Sequence, residues 1–185
     1  MTAVYVLIAL IVLVLLVFGL TYNKLVSLRN LGKNAWSDVD VYLKRRAELV
    51  PNLVATVKGY SGYEAATLEK VVAARSSATA ASNNIPLRAA AEGSLAMGIG
   101  KIFGLAEAYP DLKANQSFLD LQRQLAESEK SIADARQYYN AVVRDFNTAI
   151  QSFPSIIAAN AMGFKPMEFF EVDSDAERQA PSAAM

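Results

Sequence analysis

WSDVDVYLKRRAELVPNLVATVKGY, residues 36–60, carries the pattern that decides the fold. Trp36, Val39, Leu43, Arg46, Val50, Leu53, Val57 and Tyr60 recur at spacings of three and four, the heptad-like seam of one helix face. Asp38, Asp40, Lys44, Arg45, Glu48, Asn52 and Lys58 lie between them and make the other face polar. One seam position is a charge. Arg46 sits among Leu and Val positions, and a cation taken out of water must be paired or hydrogen-bonded. Pro51 has no N–H and its ring clashes with the carbonyl of Ala47, yet the apolar spacing keeps its phase on both sides. The pattern therefore predicts a kink at Pro51 and no stop.

Upstream lies AVYVLIALIVLVLLVFGL, residues 3–20, with no charge, amide, Pro or His. A helix of that length spans roughly 27 Å, close to the hydrocarbon thickness of a bilayer. Tyr5 and Tyr22 stand near its ends, where interfacial aromatics sit. A cleaved signal peptide needs a basic start and a shorter apolar core, and only Met1 and Thr2 precede this run, so an uncleaved anchor is expected. Lys24, Arg29 and Lys33 follow closely, with no basic residue before the run. The excess of Lys and Arg marks the cytoplasmic side, which predicts an external N-terminus and a cytoplasmic C-terminal part in the cell membrane. No Gly/Pro cluster separates Leu20 from Asn23, so the anchor is expected to run into the seam helix.

Downstream, Gly59-Tyr60-Ser61-Gly62 is the first break. A second helix is expected over 63–81 with Leu68, Val71 and Val72 inward, and Ser82–Pro86 reads as a turn. A third follows over 87–108 with Leu87, Ala91, Leu95, Ile102 and Leu105 inward, weakened by Gly98 and Gly100. Tyr109-Pro110-Asp111 stops it. The fourth, 115–160, has the seam Phe118, Leu121, Leu125, Ile132, Tyr139, Val143, Phe146, Ile150 and Phe153, a second kink at Pro154, and Gly163 as C-cap. The apolar segment 164–172 should fold back on the helices. The expected architecture is all-α: a transmembrane anchor (1–22), an antiparallel helical bundle in long–short–short–long order (23–172), and a flexible tail (173–185).

The side-chain inventory narrows function. Basic and acidic residues balance at 18 each, and there is neither Cys nor His. That removes disulfides, thiolate nucleophiles, His general bases and His-ligated zinc. Di-iron bundles need Glu-x-x-His pairs, and no ligand-dense loop suggests an oxygen-only cation site, so neither metal nor cofactor is expected. With no assembled acid, base and nucleophile set, the reading is not an enzyme. Zero net charge without aromatic–basic interleaving argues against nucleic acid. The candidate site is the interior around Arg46, with Glu64, Glu69, Asp120 and Glu129 as possible partners; Arg75 and Arg136 pose the same question. Two readings stand: an internal ion-pair network that sets helix register, or a polar pocket that takes an anionic ligand or peptide. Lys24, Arg29 and Lys33 read as membrane-proximal contacts for anionic lipid. Asn23, Asn52, Asn115, Asn140 and Asn147 read as hydrogen-bond anchors between helices.

The runs YNKLVSLRN (22–30), residues 35–60 with Arg45-Arg46 and Pro51-Asn52-Leu53, EAYPDLKANQSFLDLQRQL (107–125), ARQYYN (135–140), FNTAIQSFP (146–154) and the closing GFKP…FFE (163–171) together resemble the LemA family. The resemblance covers nearly the whole chain. It implies a bacterial single-pass membrane protein with a helical bundle resembling the bromodomain-like four-helix arrangement, and no defined activity. Tyr63 departs from it, standing where the family often shows His, and the tail APSAAM lacks an apolar finish. The expected function is a membrane-anchored, self-assembling scaffold or adaptor, in contact with the bilayer, with further copies of itself and with partner proteins. The alternative is a ligand- or peptide-binding receptor domain around Arg46.

Overall fold

The computed structural model describes residues 1–59, 65–81 and 84–171. All regular structure among them is helical: α1 (Thr2–Lys58), α2 (Ala65–Ala80), α3 (Ile85–Ala106), α4 (Pro110–Lys113), α5 (Gln116–Gln151) and α6 (Ser155–Ala161). The chain divides into two compact units. The first holds Met1–Ser37 and Gln137–Glu168; the second holds Asp38–Arg136 and residues from Phe169. The expected tail, 173–185, lies outside the described residues.

α1 runs unbroken for 57 residues, through Gly32 and through Pro51. Pro51 cannot donate to the carbonyl of Ala47, and that carbonyl is met instead by Arg75 Nε of α2 at 2.7 Å. The helix tolerates its proline because a side chain replaces the missing donor. The N-terminal part of α1 is apolar and exposed on every side from Val4 to Leu16. By length and composition it is a candidate membrane span.

In the second unit, the seam residues Val50, Leu53 and Val57 form a core with Leu68 and Val71 of α2, Leu95, Ile99 and Ile102 of α3, Leu112 of α4, and Phe118 and Leu125 of α5. The starts of α3 and α5 follow from local chemistry. Asn84 Oδ1 accepts the Leu87 N–H at 3.0 Å, and Asn115 Oδ1 accepts that of Phe118 at 3.1 Å. Asn115 is thus a cap. α3 differs in phase from the expectation: Leu87 is 61% exposed and Leu105 lies at the surface, whereas Arg88, Ala89, Glu92, Leu95, Ile99 and Ile102 face inward. Val72 of α2 is likewise exposed. Both helices are rich in Ala, and apolar residues on all sides of α3 leave its periodicity ambiguous. Gly98 has a packing reason: a Cβ there would lie 2.9 Å from Val71 Cγ2, whereas one at Gly100 would meet nothing within 4 Å.

In the first unit, Leu25 of α1 packs with Phe146 and Ile150 of α5 and Ala158 and Ala159 of α6, with Phe18, Leu28, Phe164 and Met167 around them. The Trp36 and Tyr139 rings meet at a tilt of 56° with centroids 5.4 Å apart. α5 ends at Gln151, so the expected helix to 160 is two helices. They are joined by a turn containing the cis Phe153–Pro154 bond, and Phe153 is 81% exposed instead of lying in the seam. Pro154 has no N–H to donate to the Ile150 carbonyl, and the ladder stops at Gln151. Gly163 has φ +68°, and the Phe164 N–H reaches back to the Ala159 carbonyl at 3.0 Å, the Schellman arrangement expected of it. The chain beyond is strapped down by Asn147. Its Nδ2 donates to the Met167 carbonyl (2.9 Å) and its Oδ1 accepts the Met167 N–H (2.8 Å). The buried Tyr139 hydroxyl donates to the Glu168 carbonyl at 2.7 Å.

Two outcomes follow from this packing. Gly98→Ala should lower stability by about 1–2 kcal/mol because Val71, branched at Cβ, yields poorly, the overpacking exceeding the gain in helix propensity. Gly100→Ala should raise it by up to about 1 kcal/mol. Urea melts of the full-length protein in nanodiscs measure both. Burial, and then the charge of Glu168, push the Tyr139 phenol up to about 12 from 10.0. Below pH 10 the phenol is protonated folded or unfolded, and its contribution is complete. Between 10 and about 12 the unfolded chain ionises first, so stability falls as pH rises. Absorbance near 295 nm should show one of the 8 tyrosines titrating late, and Tyr139→Phe should remove that step.

Candidate functional site

The polar interior lies wholly in the second unit and begins with Arg46, 2% exposed on the seam of α1. Its Nη1 donates to Glu129 Oε1 of α5, and its Nη2 donates to Glu92 Oε2 of α3 at 2.5 Å and to the Glu92 backbone carbonyl at 3.2 Å. Glu92 is 1% exposed. One helical turn earlier Arg88, 2% exposed, brings Nε to 2.8 Å from Glu92 Oε1 and Nη2 to 3.6 Å from Asp40 Oδ1. Asp40 Oδ2 in turn meets Lys44 Nζ at 2.6 Å. The side chains alternate in sign along a line from solvent to solvent: Lys44, Asp40, Arg88, Glu92, Arg46, Glu129. Three cations face three anions, so the interior carries no net charge.

The alternation explains how the site can be buried. A lone guanidinium in this environment costs several kcal/mol, but each buried charge here has an opposite charge on both sides. The contacts are not all hydrogen bonds. Arg88 Nε and Glu92 Oε1 are at ion-pair distance with the N–H misdirected. Among the described residues these two atoms, Arg46 Nε, Asp40 Oδ1 and the buried Ser128 Oγ make no hydrogen bond. The arrangement holds charges at fixed positions, with each terminal nitrogen of Arg46 already donating to an internal carboxylate.

Of the residues singled out in the sequence, Arg46 and Glu129 meet. Glu64 lies outside the described residues. Arg75 is half-buried elsewhere, spent on the Ala47 carbonyl beside Pro51. Glu69 is exposed, and Asp120 pairs at the surface with Arg123 at 3.0 Å. Arg136, seven residues beyond Glu129, is half-buried with a partner of its own. Glu92, Arg88 and Asp40 were missed. The available signal was Arg88 and Glu92, an i,i+4 pair in the same phase as Leu95, Ile99 and Ile102. Arg75 also borders an open groove of about 410 Å³ lined by Val50, Pro51, Val54, Ala55, Lys58 and Val72, an apolar floor with two cationic side chains.

Breaking the buried pair should cost more than breaking the exposed one. Glu92→Gln removes the one buried anion that Arg46 and Arg88 share, leaves the interior with a net positive charge and should cost about 3–5 kcal/mol. Glu129, 44% exposed, is screened by solvent, and Glu129→Gln should cost about 1 kcal/mol or less. Denaturant melts of the two variants against the parent measure the difference.

The chain is similar to known proteins over most of its length. The chain is 24% identical to Magnetosome protein MamQ of Magnetospirillum gryphiswaldense over 174 residues, which covers 80% of this chain and 64% of that relative, under two thirds of its length. It is 28% identical to Protein LemA of Metamycoplasma hominis over 160 residues, 84% of this chain and 71% of the relative. The family model described as the LemA family matches residues 35–184, from the beginning of the seam through both partners of Arg46. The chain belongs to the LemA family.

Proposed function

We propose that this protein is a membrane-anchored helical scaffold or adaptor without catalysis, which assembles with copies of itself or with partner proteins at the bilayer. In this reading the apolar part of α1 crosses the cell membrane once, the N-terminus is outside, and the remaining helices are cytoplasmic. The exposed Lys24, Arg29 and Lys33 then lie among anionic headgroups. The observation that carries the reading is the pairing of Arg46 inside the unit. Both terminal nitrogens of the one charge on the seam are taken by internal carboxylates, which supports a register-setting role over ligand capture.

A second reading has its own observation. The groove beside Arg75 and Lys58 is apolar and open, and suits an amphipathic peptide with acidic residues. A receptor role therefore belongs to that groove and not to Arg46.

Stepwise photobleaching of the full-length protein, labelled at its N-terminus in native-membrane nanodiscs, tests the scaffold. More than one copy per disc, or a protein partner recovered by crosslinking in cells, is the expected result; a lone copy with no crosslinked partner refutes it. Arg46→Met separates the roles of the network. A cooperative fold with lost assembly would point to binding at Arg46, while a loss of cooperative unfolding agrees with register.

A further inference from the structure

Residues 146–164, FNTAIQSFPSIIAANAMGF, form a 19-residue stretch without a charge, bounded by Asp145 and Lys165. The stretch covers the end of α5, the turn at Pro154 and all of α6. Part of its apolar content is core: Phe146, Ile150, Ala158 and Ala159 pack with Leu25 and Phe18 of α1. Four large apolar side chains face out. Phe153 is 81% exposed, Ile157 57%, Met162 52% and Ile156 37%. A chain that keeps charges off a stretch with four large apolar side chains outward is not solvating that surface in the ordinary way.

The level of this surface along α1 is set by contacts within the first unit. The Trp36 ring meets that of Tyr139, Gly32 lies beside Val142, and Leu25 shares a core with Phe146 and Ile150. α5 therefore descends as α1 ascends. At the same rise per residue, its continuation past Gln151 comes level with Tyr22 and Leu20, where the apolar run ends. The far end of the stretch arrives at the same level independently. The Phe164 ring is 6.1 Å from that of Tyr22, with the Arg29 guanidinium carbon 5.1 Å from its centre. Exposed cations surround the level on the side away from the apolar run: Lys24, Arg29 and Lys165.

We propose that the α5–α6 turn is a second membrane contact. Phe153, Ile156, Ile157 and Met162 enter the headgroup–acyl boundary beside the anchor, and Lys24, Arg29 and Lys165 rest on anionic headgroups. The inference rests on the reading of α1 as a membrane span, and commits to lipid as the occupant because the surface continues the apolar surface of the span at its end. An uncharged apolar face with a cationic margin is the composition of interfacial helices that lie in a bilayer surface. The contact gives the unit two attachments to one leaflet.

The protein has no native cysteine, so single labels are unambiguous. The probe is an environment-sensitive fluorophore on full-length F153C, I157C, L10C or E127C in phosphatidylcholine–phosphatidylglycerol vesicles, read with and without doxyl-labelled lipids. All four positions are exposed, so the fold does not depend on them. The expected result is blue-shifted emission and at least twofold doxyl quenching at F153C and I157C, as at L10C, with neither at E127C. Quenching at L10C alone, with F153C and I157C as wet as E127C, overturns the proposal and leaves the span intact. Blue-shifted but unquenched labels at F153C and I157C mean that protein, a second copy or a partner, covers the face, and also overturn it. An unquenched L10C removes the span and this inference together.

Discussion

Arg46 in the seam of α1 is the constraint on which the second unit depends. A leucine there would pack against any apolar neighbour, at several rotations and sliding positions of the helices. A guanidinium accepts only an arrangement that brings Glu92 of α3 and Glu129 of α5 to its two terminal nitrogens together. Glu92 can enter the core only because Arg88 stands on its other side, and Arg88 in turn requires Asp40. The network thus ties α1, α3 and α5 to one register. Its energetic return over a well-packed apolar core is small, because desolvation offsets most of the attraction. What it supplies is discrimination among packings.

The same bookkeeping recurs where the backbone is irregular. Pro51 leaves the Ala47 carbonyl without its helical donor, and Arg75 supplies one from α2. The segment after Gly163 has no secondary structure, and Asn147 takes both backbone groups of Met167 while Tyr139 takes the carbonyl of Glu168. Each case is a buried polar group whose partner must come from another element, so each fixes a tertiary relationship as well as a local one. These contacts act within a unit.

Much of this was legible in the chain. The three/four spacing from Trp36 to Val57 and from Phe118 to Ile150 identified the buried faces of α1 and α5 because both helices have a strongly polar opposite side. The charge at Arg46 announced a polar interior, as network or as pocket, because a cation among leucines must be paired or hydrogen-bonded. Gly163 announced its cap. The errors fall where the signal was weak. α2 and α3, rich in Ala, show no sharp apolar face, so Leu87, Leu105 and Val72 were misplaced and Glu92 was overlooked. Pro51 and Pro154 look alike in sequence. One continues its helix because Arg75 rescues the carbonyl, and the other ends it.

The all-α class, the apolar run at the N-terminus, the two long seams and the absence of Cys and His chemistry are legible in the chain alone, since periodicity and composition are local properties. Tertiary packing set which carboxylates meet Arg46, that Arg75 serves a proline instead of the network, and that the uncharged turn at Pro154 comes level with the end of the apolar run. Those depend on which residues distant along the chain become neighbours, and that is set by packing many weakly specific faces at once.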